Sequence, residues 1–203
     1  MGIAALAMCM AAPVSAKVSN RKILKGYVNY LKEDHEEPLK YFALVDANKD
    51  GNPELLAVSK MKGGKIKGMV DFVSFYKNSG EACSSGGYGT TPYLYYNSMQ
   101  KGILFEKDQY EYMNGTQKGE SGKFFASNVR TIMKDGKRYV ITEGHISGEY
   151  DMKTQKASAS AVKRYRKSWA FSQKGKGTKK VKFVKVTNAN LKKLQQGKIQ
   201  IQK

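Results

Sequence analysis

From Tyr41 onward the apolar residues of this chain fall into short or alternating runs separated by turn residues, and no other feature constrains the fold as much. The runs span residues 41–45, 55–58, 69–76, 93–96, 103–105, 110–113, 124–133, 139–142, 161–171 and 182–186. Each is too short, or too strictly alternating, to supply the stripe of an amphipathic helix, and each suits a strand with at least one buried face. Gly63-Gly64, Asn114-Gly115 and Asp135-Gly136 are two-residue hairpin signals, because both residues of such turns favour positive φ. Before these runs, Ile23, Leu24, Tyr27, Val28 and Leu31 recur at helical spacing between Ser19 and Asp34, with Pro38 closing the region. A short final helix is expected over residues 190–196, capped by Asn188 or Asn190. The expected fold is mainly β within an α+β class: an antiparallel meander or sandwich with an N-terminal amphipathic helix and a short C-terminal one.

With 203 residues, 40% of them hydrophobic, the chain has enough material for one core, and a single domain over residues 17–203 is expected. Residues 1–16 carry no charge and end in the small-residue pattern Val14-Ser15-Ala16, which reads as a signal peptide cut after Ala16. The run is shorter than the roughly 20 apolar residues a membrane-spanning helix needs. Cys9 follows Met8, where a lipoprotein signal carries a small residue, so lipid attachment is the weaker reading. Once the signal is removed only Cys83 remains and an intramolecular disulfide is excluded. A secreted or cell-surface location outside a bacterial cell follows as the expectation.

Charge is distributed unevenly. Of 36 Lys and Arg residues, 16 fall in residues 152–203, a segment without a single Asp or Glu, while the remaining 20 face 17 acids. Such a gradient points to a surface that meets anions. Outside a bacterium these are wall polymers, anionic polysaccharide and the phospholipid surface; secretion separates the chain from nucleic acid. The basic aromatic run "VKRYRKSWAF" marks the candidate. Read as a strand, it puts Lys163, Tyr165, Lys167, Trp169 and Phe171 on one face and Arg164 and Arg166 on the other. The aromatics then serve either stacking or the core, and Lys163, Arg164, Arg166 and Lys167 are the candidate polyanion-binding residues.

The most specific motif is "DANKDGNPE", between the first two strand-like runs. Calcium takes six to eight oxygens, and a short loop supplies them when alternate side chains turn inward and a glycine permits the sharp bend. Asp46, Asn48 and Asp50 occupy the first, third and fifth positions, Gly51 the sixth, Asn52 offers a carbonyl at the seventh and Glu54 a carboxylate at the ninth. The twelfth position, where an EF-hand has a bidentate Glu, is Ala57, and the flanks are strands, so this is no EF-hand. The alternative is a polar hairpin turning at Asp50-Gly51 with its acids solvated. At this point "DANKDGNPEL" resembles the D-x-D-x-D-G-x-x-D/E-L calcium loops between strands of FG-GAP and related extracellular repeats. "FALVDANKDGNPELLAV" is similar to a phrase in small secreted Gram-positive bacterial proteins of unknown function. The resemblance covers about a tenth of the chain, with the lysine-rich "KKVKFVKVTNANLKKL" as a second, looser match. It implies a structural calcium ion held by Asp46, Asn48, Asp50, Asn52 and Glu54, and implies nothing about activity. Asn48 in place of a carboxylate and Glu54 in place of Asp depart from the pattern.

Other chemistry is weaker. His35 lies among four acids in "EDHEEP", but neighbouring residues on a helix diverge, so a solvated helix end is the simpler reading. Cys83 in "GEACSSGGYGTTP", even with His35 or His145 as a base, lacks any nucleophile signature, and the same loop lacks the ending of a P-loop. Glu143, Glu149 and Asp151 would be the acids of a glycoside hydrolase. Three functions remain: a calcium-binding, non-enzymatic domain with a basic surface, a secreted hydrolase of wall or polysaccharide, and a scaffold or adhesion subunit of a surface assembly.

Overall fold

The segments flanking "DANKDGNPE" are apolar at successive positions, and a strand can bury successive positions only when both its faces are covered. This is what the computed structural model shows; it describes residues 20–75, 82–88, 92–105, 109–119, 122–146, 150–169 and 171–203. β1 (Tyr41–Val45) and β2 (Glu54–Val58) pair antiparallel from Tyr41↔Val58 to Val45↔Glu54, and every residue of β2 is buried. β5 (Val70–Phe75) continues the sheet beyond β2, and β6 (Ala82–Tyr88) follows it. On the other side of β1 the edge is shared. β14 (Val184–Lys185) pairs antiparallel with Tyr41 and Phe42, and β15 (Ile201–Gln202) pairs parallel with Leu44 and Val45.

Alternation along these strands divides the core in two. Phe42, Leu44, Leu55, Ala57 and Val73 point to α1 (Asn20–Tyr30) and α3 (Asn188–Gln195), meeting Ile23, Leu24, Tyr27, Val28, Leu191 and Leu194. Ala43, Val45, Leu56, Val58 and Phe72 point the other way, onto Leu94, Tyr96, Ile103, Phe105 and Val181. These last residues lie in or beside β7 (Tyr95–Asn97), β8 (Ile103–Leu104) and β13 (Thr178–Lys180), part of a second sheet. That sheet continues from β8 as a meander through β9 (Gln109–Gly119), β10 (Gly122–Asp135), β11 (Arg138–Ile146) and β12 (Tyr150–Ala157). A separate hairpin, β3 (Met61–Lys62) with β4 (Lys65–Ile66), closes through Gly63-Gly64, both at positive φ, as the sequence leads one to expect. The mainly β class with an N-terminal and a C-terminal helix stands.

Gly26 sits within α1 for a packing reason: a Cβ there would lie 2.7 Å from the Phe75 ring, so glycine lets helix and sheet approach this closely. Four expectations are corrected. Residues 159–167 form a helix, α2 (Ala159–Lys167), and not a strand; Ser158 caps it by accepting from the Ala161 amide at 3.3 Å. Val162, Tyr165 and Trp169 recur at helical spacing on its inner side, against Ile132 and Ile141. Asn114-Gly115 is not a turn but part of β9, where the register skips Asn114 opposite Ala126/Ser127 as a bulge. The β10–β11 turn is Gly136-Lys137, because Asp135 still pairs with Arg138. α3 is capped by Thr187, whose hydroxyl accepts from the Asn190 amide at 3.2 Å, rather than by an asparagine. The expected signal peptide lies outside the described residues. Among the described residues no helix is long and apolar enough to cross a membrane.

Candidate functional site

Three separate elements hold the roots of the β1–β2 loop. The Asp46 amide donates to the Gln202 carbonyl at 3.1 Å, the Gly102 amide to the Ala47 carbonyl at 2.9 Å, and the Tyr27 hydroxyl of α1 to the Pro53 carbonyl at 2.7 Å. Within the loop the alternating oxygens fold back on its own amides. Asn48 Oδ1 accepts from the Asp50 amide at 2.9 Å, Asp50 Oδ1 from the Asn52 amide at 2.7 Å, and Asp46 Oδ1 from the Gly51 amide at 3.4 Å. The first two are the local turns that aspartate and asparagine favour, and the third reaches across the loop. Lys49 and Gly51 both take positive φ, at 59° and 86°. For Lys49, a residue with a Cβ, this costs on the order of 1 kcal/mol.

Burial separates this loop from an ordinary polar turn. Asp46 is 6% exposed and Glu54 4%, so two of the three acids are not solvated. Glu54 Oε2 accepts from the Ala47 amide at 2.8 Å. Burial, together with the charges of Asp50 and Asp46, pushes the Glu54 carboxyl well above the ordinary range; the Ala47 amide only partly opposes this. Among the described residues no Lys or Arg forms an ion pair with Asp46, Asp50 or Glu54. Lys49 lies within reach of these charges, and its buried ammonium has no hydrogen-bond partner. Its pKa is lowered first by burial, and the charges of Asp46 and Glu54 oppose that. Asn52 Oδ1 is also buried and unpartnered.

A hard cation fits this donor set, which is all oxygen, includes two desolvated carboxylates and leaves one amide oxygen unused. Among the described residues no three His, Cys, Asp and Glu side chains are gathered closely enough to hold a metal by themselves. An ion here would therefore draw on the amide and backbone oxygens of Asn48 and Asn52 beside the carboxylates.

Glu54→Gln keeps an oxygen for the Ala47 amide and removes the charge. The folded state holds the Glu54 proton more tightly than the unfolded chain does, so its stabilising contribution is fully present below about pH 4.3 and is lost as pH rises through the folded value. In chelator, wild type is expected to lose stability relative to Glu54→Gln as pH climbs towards neutrality, read as the difference between urea midpoints. Parallel curves would mean that the Glu54 carboxyl is not desolvated.

The other candidates separate. On α2, Lys163, Arg164 and Lys167 are exposed and Arg166 is half-buried. Trp169 and Phe171 are core residues, so the aromatics of this run do not form the stacking face that a strand would have made. Arg166 and Lys167 nevertheless border a cavity of about 580 Å³ beside Asn97 and Met99. Glu143 is ion-paired to Arg130 across β10 and β11 at 2.9 Å, beneath Tyr165, whose hydroxyl is pushed up by burial and by Glu143. Glu149 and the side chain of Asp151 lie outside the described residues, as do those of Cys83 and His145. His35 is half-buried among exposed acids at the end of α1, where its Nε2 bonds the Tyr30 carbonyl at 2.7 Å.

Sequence reasoning missed a larger feature, a trough of about 960 Å³ at the β14–β15 edge of the first sheet, bordered by Lys179, Lys180, Lys182, Lys193 and Lys198. The lysine-rich "KKVKFVKV" signalled charge here, and its enclosure by chain segments distant in sequence was not visible. Compared with protein-family models, curated proteins and solved structures, the chain finds no match.

Proposed function

We propose that this chain is a secreted bacterial calcium-binding domain without enzymatic activity, resembling small Gram-positive proteins with FG-GAP-like loops, whose basic C-terminal region meets an anionic envelope polymer. One observation carries the calcium reading: Asp46 and Glu54 are buried at the two roots of one loop with no ion-pair partner among the described residues. Burying a carboxylate without an ion pair costs several kcal/mol; the Lys49 charge acts on Asp46 and Glu54 without bonding to either, and a bound cation would offset that cost directly. Asp46, Asn48, Asp50, Asn52 and Glu54 would hold the ion, which supplies positive charge and cross-links β1 to β2. Its role is structural, since the same loop oxygens are tied to backbone amides and to the strand ends.

The basic region supports the second half of the reading. Residues 152–203 carry all their charge with one sign, and Lys163, Arg164 and Lys167 project from α2 beside Arg166. Calorimetric titration of calcium into the intact chain tests the metal site. One ion per chain is expected for wild type and none for the Asp46→Ala, Asp50→Ala double variant.

A further inference from the structure

We infer that the trough at the β14–β15 edge is the binding site for a linear, phosphate-bearing polymer. The inference rests on the proposal that the basic region meets an anionic polymer, and it places that contact away from α2. β14 takes up the edge of β1 at Tyr41 and Phe42, β15 takes it up at Leu44 and Val45, and the trough opens between them over Ala43. Its floor is held in place by Gln202, whose side chain bonds both the amide and the carbonyl of Lys182 at 2.8 Å.

Two walls carry the charge. Lys179 and Lys180 belong to β13 and Lys182 follows it, while Lys193 is on α3 and Lys198 is just beyond that helix. All five are exposed, and among the described residues lining the trough there is no Asp or Glu. Five like charges around one concavity repel one another, and an anion bound between them relieves that repulsion. Lys180 is further fixed by its ammonium lying 3.5 Å above the Tyr93 ring.

The kind of anion follows from what the walls lack. Lysine presents a compact point charge suited to phosphate, and the trough has no arginine fork for bidentate carboxylate recognition. Its aromatic rings, Phe42 and Tyr96, are 0% and 6% exposed, so neither offers a face on which a pyranose or a nucleobase could stack. The trough is concave where a bilayer would need a flat or protruding face. Its volume suits a ligand segment and not a whole polymer. A flexible chain of phosphodiesters meets all of these conditions.

The experiment measures binding of the intact chain to poly(glycerol phosphate) over a range of salt. Three triple variants are compared with wild type: Lys179→Gln, Lys182→Gln, Lys198→Gln in the trough; Lys163→Gln, Arg164→Gln, Lys167→Gln on α2; and Lys134→Gln, Lys153→Gln, Lys156→Gln on the exposed β10 and β12 surface. The trough variant is expected to weaken binding at least tenfold and to reduce the log–log salt slope by about 2, the release expected for three phosphate contacts on a flexible strand. The surface variant, with the same loss of charge, should change affinity by no more than about twofold. Equal losses in all three would overturn the inference in favour of diffuse charge. A loss confined to the α2 variant would overturn it while leaving the polymer reading intact, and a wild type that does not bind would remove both. Equal affinity for polygalacturonate would refute phosphate recognition, and binding to anionic phospholipid vesicles in place of the polymer would refute the polymer.

Discussion

Millimolar calcium is expected to raise the thermal midpoint of the intact chain by about 5 to 10 °C over its value in excess EDTA. A ligand that binds only the folded state contributes about 2.7 kcal/mol at 100 times its dissociation constant. A chain of this size moves by roughly 2 to 4 °C per kcal/mol. The stabilisation arises because chelator leaves Asp46 and Glu54 buried, with the charges of Asp46 and Asp50 acting on Glu54. The Asp46→Ala, Asp50→Ala variant is expected to melt at the same temperature in calcium and in EDTA. It should not melt far below metal-free wild type, because it also removes the two charges that act on Glu54. A calcium response of equal size in the variant would place the ion elsewhere, and no response in either protein would reduce "DANKDGNPE" to a turn.

Phe72→Ala is expected to destabilise the fold by about 3 to 5 kcal/mol, the usual cost of emptying a buried aromatic site. Phe72 is fully buried on β5, opposite Leu56 in the β2 register, and belongs to the cluster that joins the first sheet to Leu94, Ile103, Phe105 and Val181. Its removal opens a cavity between the two sheets, where neighbours drawn from several strands cannot all move in to fill it. Met133→Ala, at a side chain 61% exposed, is the control and should stay within about 0.5 kcal/mol of wild type. Urea unfolding of both variants measures the difference. If Phe72→Ala falls no further than Met133→Ala, the second sheet does not cover that face of the first.

Much of this architecture was legible because the core strands are written in side chains of one kind. Residues 41–45 and 55–58 are apolar at nearly every position, and α1 repeats its apolar face at helical spacing. α2 was misread because Tyr165, Trp169 and Phe171 all fall on odd positions, with Arg164, Arg166 and Ser168 on even ones, imitating a period of two. The deciding signals were local: the Ser158 cap and the spacing of Val162, Tyr165 and Trp169. β13 and β15 could not be read, since "TKK" and "IQ" have no pattern of their own and become strands only by pairing with β7 and β1. β6, in the glycine-rich "ACSSGGY", is held in the same way by β5.

The loop divides along similar lines. Its oxygen spacing is a property of the sequence, and the side-chain oxygens of Asp46, Asn48 and Asp50 each accept from a backbone amide of the loop, with Asp50 itself exposed. The burial of Asp46 and Glu54 is a property of the fold, because it depends on Tyr27, Gly102 and Gln202 arriving from distant parts of the chain. The lysine trough is the extreme case: its two walls meet only because β14 and β15 share the edge of one strand.

The most direct test of the calcium site is the calorimetric titration of the chelator-stripped intact chain, repeated with Glu54→Gln and with the Asp46→Ala, Asp50→Ala variant. Saturation at one calcium per chain in wild type, weaker binding in Glu54→Gln and none in the double variant is the expected result. Heats no larger than those of dilution in wild type, or equal binding by all three proteins, would contradict a calcium site between β1 and β2.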